Sequence, residues 1–131
     1  KERINDLNNA LTKIKKQRAE LSGDEYERLT SEWAGRLSET WERLIRSEVI
    51  YRVVDRSTTE VRPKLVRILA EITDDDYRKF DKSYSVASTW VRRHDKSEEF
   101  SYVAPELEDM ERELTILKEW HARIKGYANK S

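Results

Sequence analysis

Apolar residues recur at alternating steps of three and four in two segments, one at each end of this chain. An α-helix turns once every 3.6 residues, so this spacing places each set along one face of a helix. The N-terminal set is Ile4, Leu7, Leu11, Ile14 and Leu21, with Arg18 breaking the series, and the C-terminal set is Leu107, Met110, Leu114, Leu117, His121 and Ile124. The pattern predicts that the first and last helices are coiled-coil-like.

The segment between them predicts three further helices. The second helix is predicted from about Asp24 to Tyr51, on the stripe Tyr26, Leu29, Trp33, Leu37, Trp41, Leu44, Ile45 and Val49. A short third helix follows the capping box Ser57–Glu60 and runs to about Ile72, and Thr73–Asp76 has the N-cap residues of a fourth. The inward residues of the fourth helix are predicted as Tyr77, Phe80, Tyr84, Ala87, Trp90, Val91 and His94. Gly23 suits the left-handed position that ends the first helix.

Composition favours the same all-α class. The chain has only 3 Gly and 2 Pro in 131 residues, too few turn residues for a sheet-based fold, and 40% of its residues are charged. We therefore expect a single domain over residues 1–131, built as an elongated bundle of about five helices. Residues 1–22 are a candidate coiled-coil stalk, and residues 24–128 a helical effector module.

The charge balance and the absent residue types exclude several classes of function. The net charge is zero, with 26 basic and 26 acidic residues, which disfavours a protein that coats DNA. There is no cysteine for a disulfide, a zinc finger or a thiol nucleophile. No apolar run approaches the roughly 20 residues of a membrane span, and no glycine-rich phosphate-binding loop is present. The sequence predicts a cytoplasmic segment cut from a longer protein, with no membrane contact.

His94 is the more informative of the two histidines. It ends the predicted fourth helix, where the helix dipole favours a cation. Asp95 could orient its ring, and Arg92 and Arg93 could bind an anion beside it. The alternative is that this cluster only complements the helix dipole. His121, on the last helix, is predicted to be a packed, partly buried histidine.

A basic stretch supplies a candidate nucleic-acid surface. From Arg43 to Arg67 there are seven basic and three acidic residues, and we assign RNA-backbone contacts to Arg43 and Arg46 together with Arg92 and Arg93. Such a face suits single-stranded nucleic acid or a phosphate-rich partner. The alternative is a solvated face paired with the acidic last helix. We assign no metal and no cofactor, because Asp74–Asp76 fits a helix start better than a metal site.

A metal-free ribonuclease needs a base for the 2′-OH proton, an acid for the leaving oxygen and a cation for the phosphorane charge. Arg56, Glu60 and His94 supply these residue types. If the third and fourth helices pack antiparallel, Glu60 and His94 lie at one end of the domain. The alternative is that Glu60 serves only the capping box.

Several stretches resemble the C-terminal region of bacterial SMC- or ABC-like P-loop ATPases related to the PrrC and RloC anticodon nucleases. The matching pieces are Arg36–Arg43 (RLSETWER), Ile72–Tyr77 (ITDDDY), Ser88–Asp95 (STWVRRHD), Pro105–Glu108 (PELE) and Leu117–Trp120 (LKEW). In the anticodon nucleases of that family, an Arg-x-x-x-Glu pair and a downstream His cut tRNA without metal. Arg56, Glu60 and His94 match that order.

The resemblance implies the effector domain of a bacterial, phage-defence-type ATPase, acting as a metal-independent tRNA ribonuclease. Its catalytic residues would be Arg56, Glu60, His94 and Asp95, and its partners tRNA and an ATPase head domain of the same or another chain. The alternative is a non-catalytic interaction or nucleic-acid-binding module that docks an ATPase or a partner subunit. Copies of the chain could associate through the first and fifth helices.

Overall fold

The computed structural model describes residues 2–50, 70–91 and 103–129, and these residues form helices and short connections without a β-strand. Within these ranges four helices are described over their full length: α1 (Glu2–Gln17), α2 (Gly23–Leu44), α3 (Asp74–Thr89) and α4 (Leu107–Asn129). A 3₁₀ turn, Arg18–Glu20, follows α1, and a π-helical segment, Ile45–Ile50, extends α2. The all-α prediction is confirmed. Of the predicted third helix, Ala70 and Glu71 are helical, and the rest lies outside the described residues.

The helices α1 and α4, the predicted first and fifth, pack antiparallel. Lys118 near the middle of α4 donates to Asn8 of α1 over 3.3 Å, while Lys15 at the end of α1 pairs with Glu111 near the start of α4. On its other side α1 packs against α2, where the indole N–H of Trp33 donates to the Leu7 carbonyl over 2.9 Å. The two terminal seams therefore pack antiparallel against each other within one chain.

The helix α3 closes the bundle against α2 and α4, and it runs antiparallel to both. The Tyr84 hydroxyl donates a hydrogen bond to Glu42 of α2. Asp76 in the first turn of α3 accepts a hydrogen bond from Arg123 near the end of α4. At the opposite end, the Tyr26 hydroxyl donates a hydrogen bond of 2.7 Å to the carbonyl oxygen of Pro105, just before α4 begins. The described helices thus alternate in direction, like an up-down-up-down four-helix bundle.

The core is a continuous apolar cluster with aromatic rings at its centre. Trp41 packs edge-on against both Phe80 and Trp120, with ring centroids 5.6 and 5.3 Å apart. The α1 seam is also buried, with Leu7 only 1% exposed, so its apolar face is covered by other helices of the same chain. The division into a stalk over residues 1–22 and an effector module over 24–128 stays a prediction.

Two sequence-based assignments are wrong at the helix starts. Tyr77 is 58% exposed, because the inward face of α3 is set by Asp76, Ser83 and Ala87, and Tyr77 lies one helical step away from it. Gly23 does not end the first helix. It is instead the first residue of α2, because the Ser22 side chain caps that helix by accepting from the Glu25 N–H over 3.2 Å.

Candidate functional sites

Most of the predicted catalytic and RNA-binding residues lie outside the described residues. These are Arg56, Glu60, Arg92, Arg93, His94 and Asp95. Arg43 and Arg46 are described and both are exposed, at the end of α2 and in the π-helical segment. His121 is buried on the α4 seam, as predicted. The grouping of Arg56, Glu60 and His94 into one site stays a prediction.

The chain leaves the described bundle at opposite ends on its way to the two predicted catalytic segments. Because α2 and α3 are antiparallel, Ile50 lies at the same end of the bundle as Thr73. Val91, just after α3, lies at the other end, with Ser22 and Pro105. The two ends are separated by the length of α3, whose 16 residues span about 24 Å.

A buried polar cluster holds the start of α3 to the end of α4. Its centre is Asp76, only 1% exposed, which accepts from the Thr73 N–H (3.1 Å), Arg123 Nε (2.7 Å) and the Tyr127 hydroxyl (2.8 Å). The Trp120 indole N–H also donates to the Asp76 carbonyl oxygen over 3.0 Å. The Thr73 hydroxyl in turn accepts from the Asp76 N–H, which completes the predicted N-cap as a capping box.

The electrostatics of Asp76 follow from these bonds. Burial by itself raises the pKa of this carboxyl, but the hydrogen bonds from the Thr73 backbone, Tyr127 and Arg123 outweigh burial and leave the pKa below its usual value. Burial raises the pKa of Tyr127, and the hydrogen bond to Asp76 raises it further. All of these groups are satisfied within the chain, so the cluster has the chemistry of a structural clasp.

A groove of about 370 Å³, which the sequence does not predict, lies between α3 and α4. Ser83 and Glu113 lie on its inner side, Val86 and Ile116 are its apolar residues, and its charged residues are Lys79, Lys82, Arg112, Glu119 and Arg123. Glu113 is 5% exposed, and its Oε1 has no hydrogen-bond partner. Desolvation raises the pKa of Glu113, while the Ser83 hydroxyl and the charges of Arg112 and Lys82 oppose this rise.

Three of the four groove cations also contact acids. Lys79 pairs with Asp75 over 3.1 Å, and Arg112 pairs with Asp109 over 3.1 Å. Arg123 is held by Asp76, as described above. Lys82 is the fourth cation, and its side chain is exposed on α3. The groove therefore combines a buried carboxylate with a cationic rim that is only partly neutralised.

A second groove, of about 350 Å³, runs between α1 and α2. Its apolar residues include Ile14, Leu21, Leu29 and Trp33, and its charged residues, of both signs, include Lys13, Arg28, Glu32 and Arg36. An apolar floor with a charged rim is typical of a surface that receives an amphipathic helix.

None of the described helices is both long and apolar enough to cross a membrane. Within the described ranges no three side chains of the metal-binding types group closely enough to hold an ion, and the expectation of no metal or cofactor stays a prediction. No family model, no curated protein and no solved structure matches the chain. The resemblance to the anticodon-nuclease ATPases therefore remains a prediction from the quoted residues.

Proposed function

We propose that this chain is the helical effector domain of a bacterial defence-type ATPase and that it cleaves RNA, with tRNA as the substrate class, without metal. The observation that carries the proposal is the order Arg56-x-x-x-Glu60, then His94, in a chain with stretches that resemble the anticodon nucleases; His94 lies in one of these stretches, and Arg56 and Glu60 lie between two of them. Glu60 and His94 act as the acid–base pair, and Asp95 orients the His94 ring. Arg56 stabilises the phosphorane charge. The RNA backbone is bound by Arg43, Arg46, Arg92 and Arg93.

The turn at Thr73 supports a common location for Glu60 and His94. Ala70 and Glu71 are helical immediately before the Thr73 cap, and α3 begins immediately after it. Glu60 precedes Thr73 by 13 residues, and if the third helix predicted from the sequence spans them, it is about 20 Å long, close to the roughly 24 Å length of α3. A helical hairpin about Thr73 would therefore bring Glu60 back toward the end of α3, from which the chain continues to His94.

The convergence of the matching pieces supports their belonging to one structural unit. Trp41, Asp76 and Trp120 come from three of these pieces, and they meet in the core around the contacts described above. The Tyr26–Pro105 hydrogen bond attaches a fourth piece to the start of α2. These residue types are needed for packing in the fold. Their convergence therefore supports an architecture like that of the family, and the proposed catalysis depends on Arg56, Glu60 and His94.

The test is incubation of the chain with total tRNA in EDTA, followed by mapping of the fragment ends. Attack of the 2′-oxygen on the adjacent phosphorus, with departure of the 5′-oxygen, leaves a 2′,3′-cyclic phosphate and a 5′-hydroxyl. We expect His94→Ala and Glu60→Gln to abolish cleavage with unchanged helical circular dichroism. Glu106→Gln, at an exposed site before α4, is the matched control. Absence of cleavage by the wild-type chain, or cleavage retained in both variants, would overturn the proposal.

The second candidate is a non-catalytic docking module, and the α1–α2 groove favours it. Since the α1 and α4 seams are buried within the chain, this groove is the apolar surface left on the α1–α2 face for an amphipathic helix of the associated ATPase. Leu29→Glu should weaken binding of the ATPase head by at least about tenfold while leaving the helical circular dichroism unchanged. Equal binding by Leu29→Glu and the wild type would exclude this surface.

A further inference from the structure

The groove between α3 and α4 contains a buried acid that the proposed cleavage does not use. Glu113 projects from α4 with a side chain only 6% exposed, and the Ser83 hydroxyl bonds to it from α3. Arg112, its neighbour in sequence, lies 3.9 Å from Glu113 Oε2, too far for a hydrogen bond. The carboxylate is therefore buried with fewer partners than its two oxygens can accept.

The hydrogen bonding of the Glu113 carboxylate is incomplete. Oε1 of Glu113 is fully buried and has no hydrogen-bond partner, and a buried polar atom without a partner is costly. Each carboxylate oxygen has two acceptor sites, so a bond from Ser83 leaves capacity on both oxygens. A ligand that completes the site must bring N–H or O–H donors to Glu113.

The other residues of the groove indicate which further chemical groups such a ligand would carry. Val86 and Ile116 are apolar and suit a flat ring, while Lys79 and Lys82 on α3 suit an anion. A volume of about 370 Å³ is within the size range of small-molecule sites. A molecule with a donor-bearing ring at one end and an anion at the other has the chemistry of a nucleotide.

We propose that this groove binds a guanine nucleotide of single-stranded RNA, with Glu113 accepting from the base and Lys82 contacting the phosphate. Guanine presents two adjacent N–H donors, N1–H and the 2-amino group, which a carboxylate can receive side by side. Adenine and cytosine present one donor next to an acceptor, and that acceptor would face the carboxylate unpaired. Single-stranded RNA allows such a base to leave its stack and enter a pocket. The choice of RNA as the source rests on the proposed function.

The test is isothermal titration of the wild-type chain with GMP and AMP, then with single-stranded RNA octamers that contain or lack guanine. We expect GMP to bind at least about tenfold more tightly than AMP, a ratio typical of a good paired contact to a base edge. The guanine-containing octamer should show the same preference. Glu113→Gln should abolish both preferences, because its amide N–H₂ would oppose the guanine donors, and Glu108→Gln, exposed on the same helix, should retain them.

Equal affinity of the wild-type chain for GMP and AMP would overturn the site, and this result does not depend on any variant folding. A preference for GMP without a preference between the octamers would overturn RNA as the source. Cleavage of tRNA combined with equal affinities would reject the guanine site and leave the proposed ribonuclease intact. A GMP preference that depends on Glu113, in a chain that cuts no RNA, would support the site and reject the ribonuclease.

Discussion

Replacing Asp76 with alanine should destabilise the bundle more than any other loss of a single charged side chain in the described helices. The substitution removes the acceptor for Thr73 N–H, Arg123 and Tyr127 at once. Arg123 keeps about a third of its side chain exposed, so water can recover part of its hydrogen bonding. We therefore expect a loss of about 3 kcal/mol, the lower end of the cost of breaking a buried charge pair.

The measurement is urea unfolding followed by circular dichroism at pH 7. A loss of about 3 kcal/mol is a large fraction of the 5–15 kcal/mol typical of a domain. Asp75→Ala is the matched control, because Asp75 is the adjacent residue, is 70% exposed and forms only an i,i+4 pair with Lys79. Its cost should stay below about 0.5 kcal/mol. Similar costs for the two variants would refute the assignment of Asp76 as the clasp between α3 and α4.

The same cluster gives a pH dependence of defined sign. The pKa of Asp76 is lower in the folded chain than its usual value of 3.8, so folding favours its ionised form. Its contribution to stability is therefore present above about pH 3.8 and is lost as the pH falls through the folded value. In Asp76→Asn that part of the acid-induced loss should disappear, so the stability difference from the wild type should shrink in acid. A difference that stays constant from pH 7 to acid would contradict this mechanism.

Four other substitutions test separate features of the bundle by the same unfolding measurement. Because the folded pKa of Glu113 is raised, its favourable contribution is lost as the pH rises above 4.5, so the stability of Glu113→Gln relative to the wild type should be greater at pH 7 than at pH 4. Trp33→Phe should cost about 1 kcal/mol through the lost hydrogen bond to Leu7, and a cost near zero would contradict that role. Trp41→Ala should cost about 3–5 kcal/mol, whereas Tyr77→Ala, at an exposed position, should change stability by less than about 0.5 kcal/mol. The reverse order would contradict the burial of Trp41 and the exposure of Tyr77.

Helix positions and the apolar faces of α1, α2 and α4 could be predicted because their signal is local. Leu7, Leu37 and Leu117 lie in regular three–four patterns, and all three are buried. Thr73 and Asp76 form a capping box whose spacing is also local. Each of these predictions depends on residues within a turn or two of one another, which is the range over which helical periodicity and capping act.

Asp76 and Glu113 as buried groups could not be predicted, because their partners are distant in sequence. Polar residues interrupt an apolar stripe without showing whether they face solvent or another helix. Asp76 faces inward because Arg123 and Tyr127, about 50 residues away, supply its hydrogen bonds. Because Asp76 faces inward, Tyr77, the next residue along α3, faces solvent. The three–four spacing of Tyr77, Phe80 and Tyr84 predicts an inward Tyr77, but the long-range polar contacts of Asp76 set a different rotation of the helix.

The burial of Trp41, Asp76 and Trp120 changes what the family resemblance can support. These three residues belong to matching pieces, and each is buried and takes part in packing or hydrogen bonding in the core. A helical bundle that only docks an ATPase would need them as much as a ribonuclease would. Their presence therefore favours neither function over the other. The two functions differ in their need for His94 and Glu60, because a docking module tolerates their replacement, whereas acid–base cleavage of RNA is lost with either.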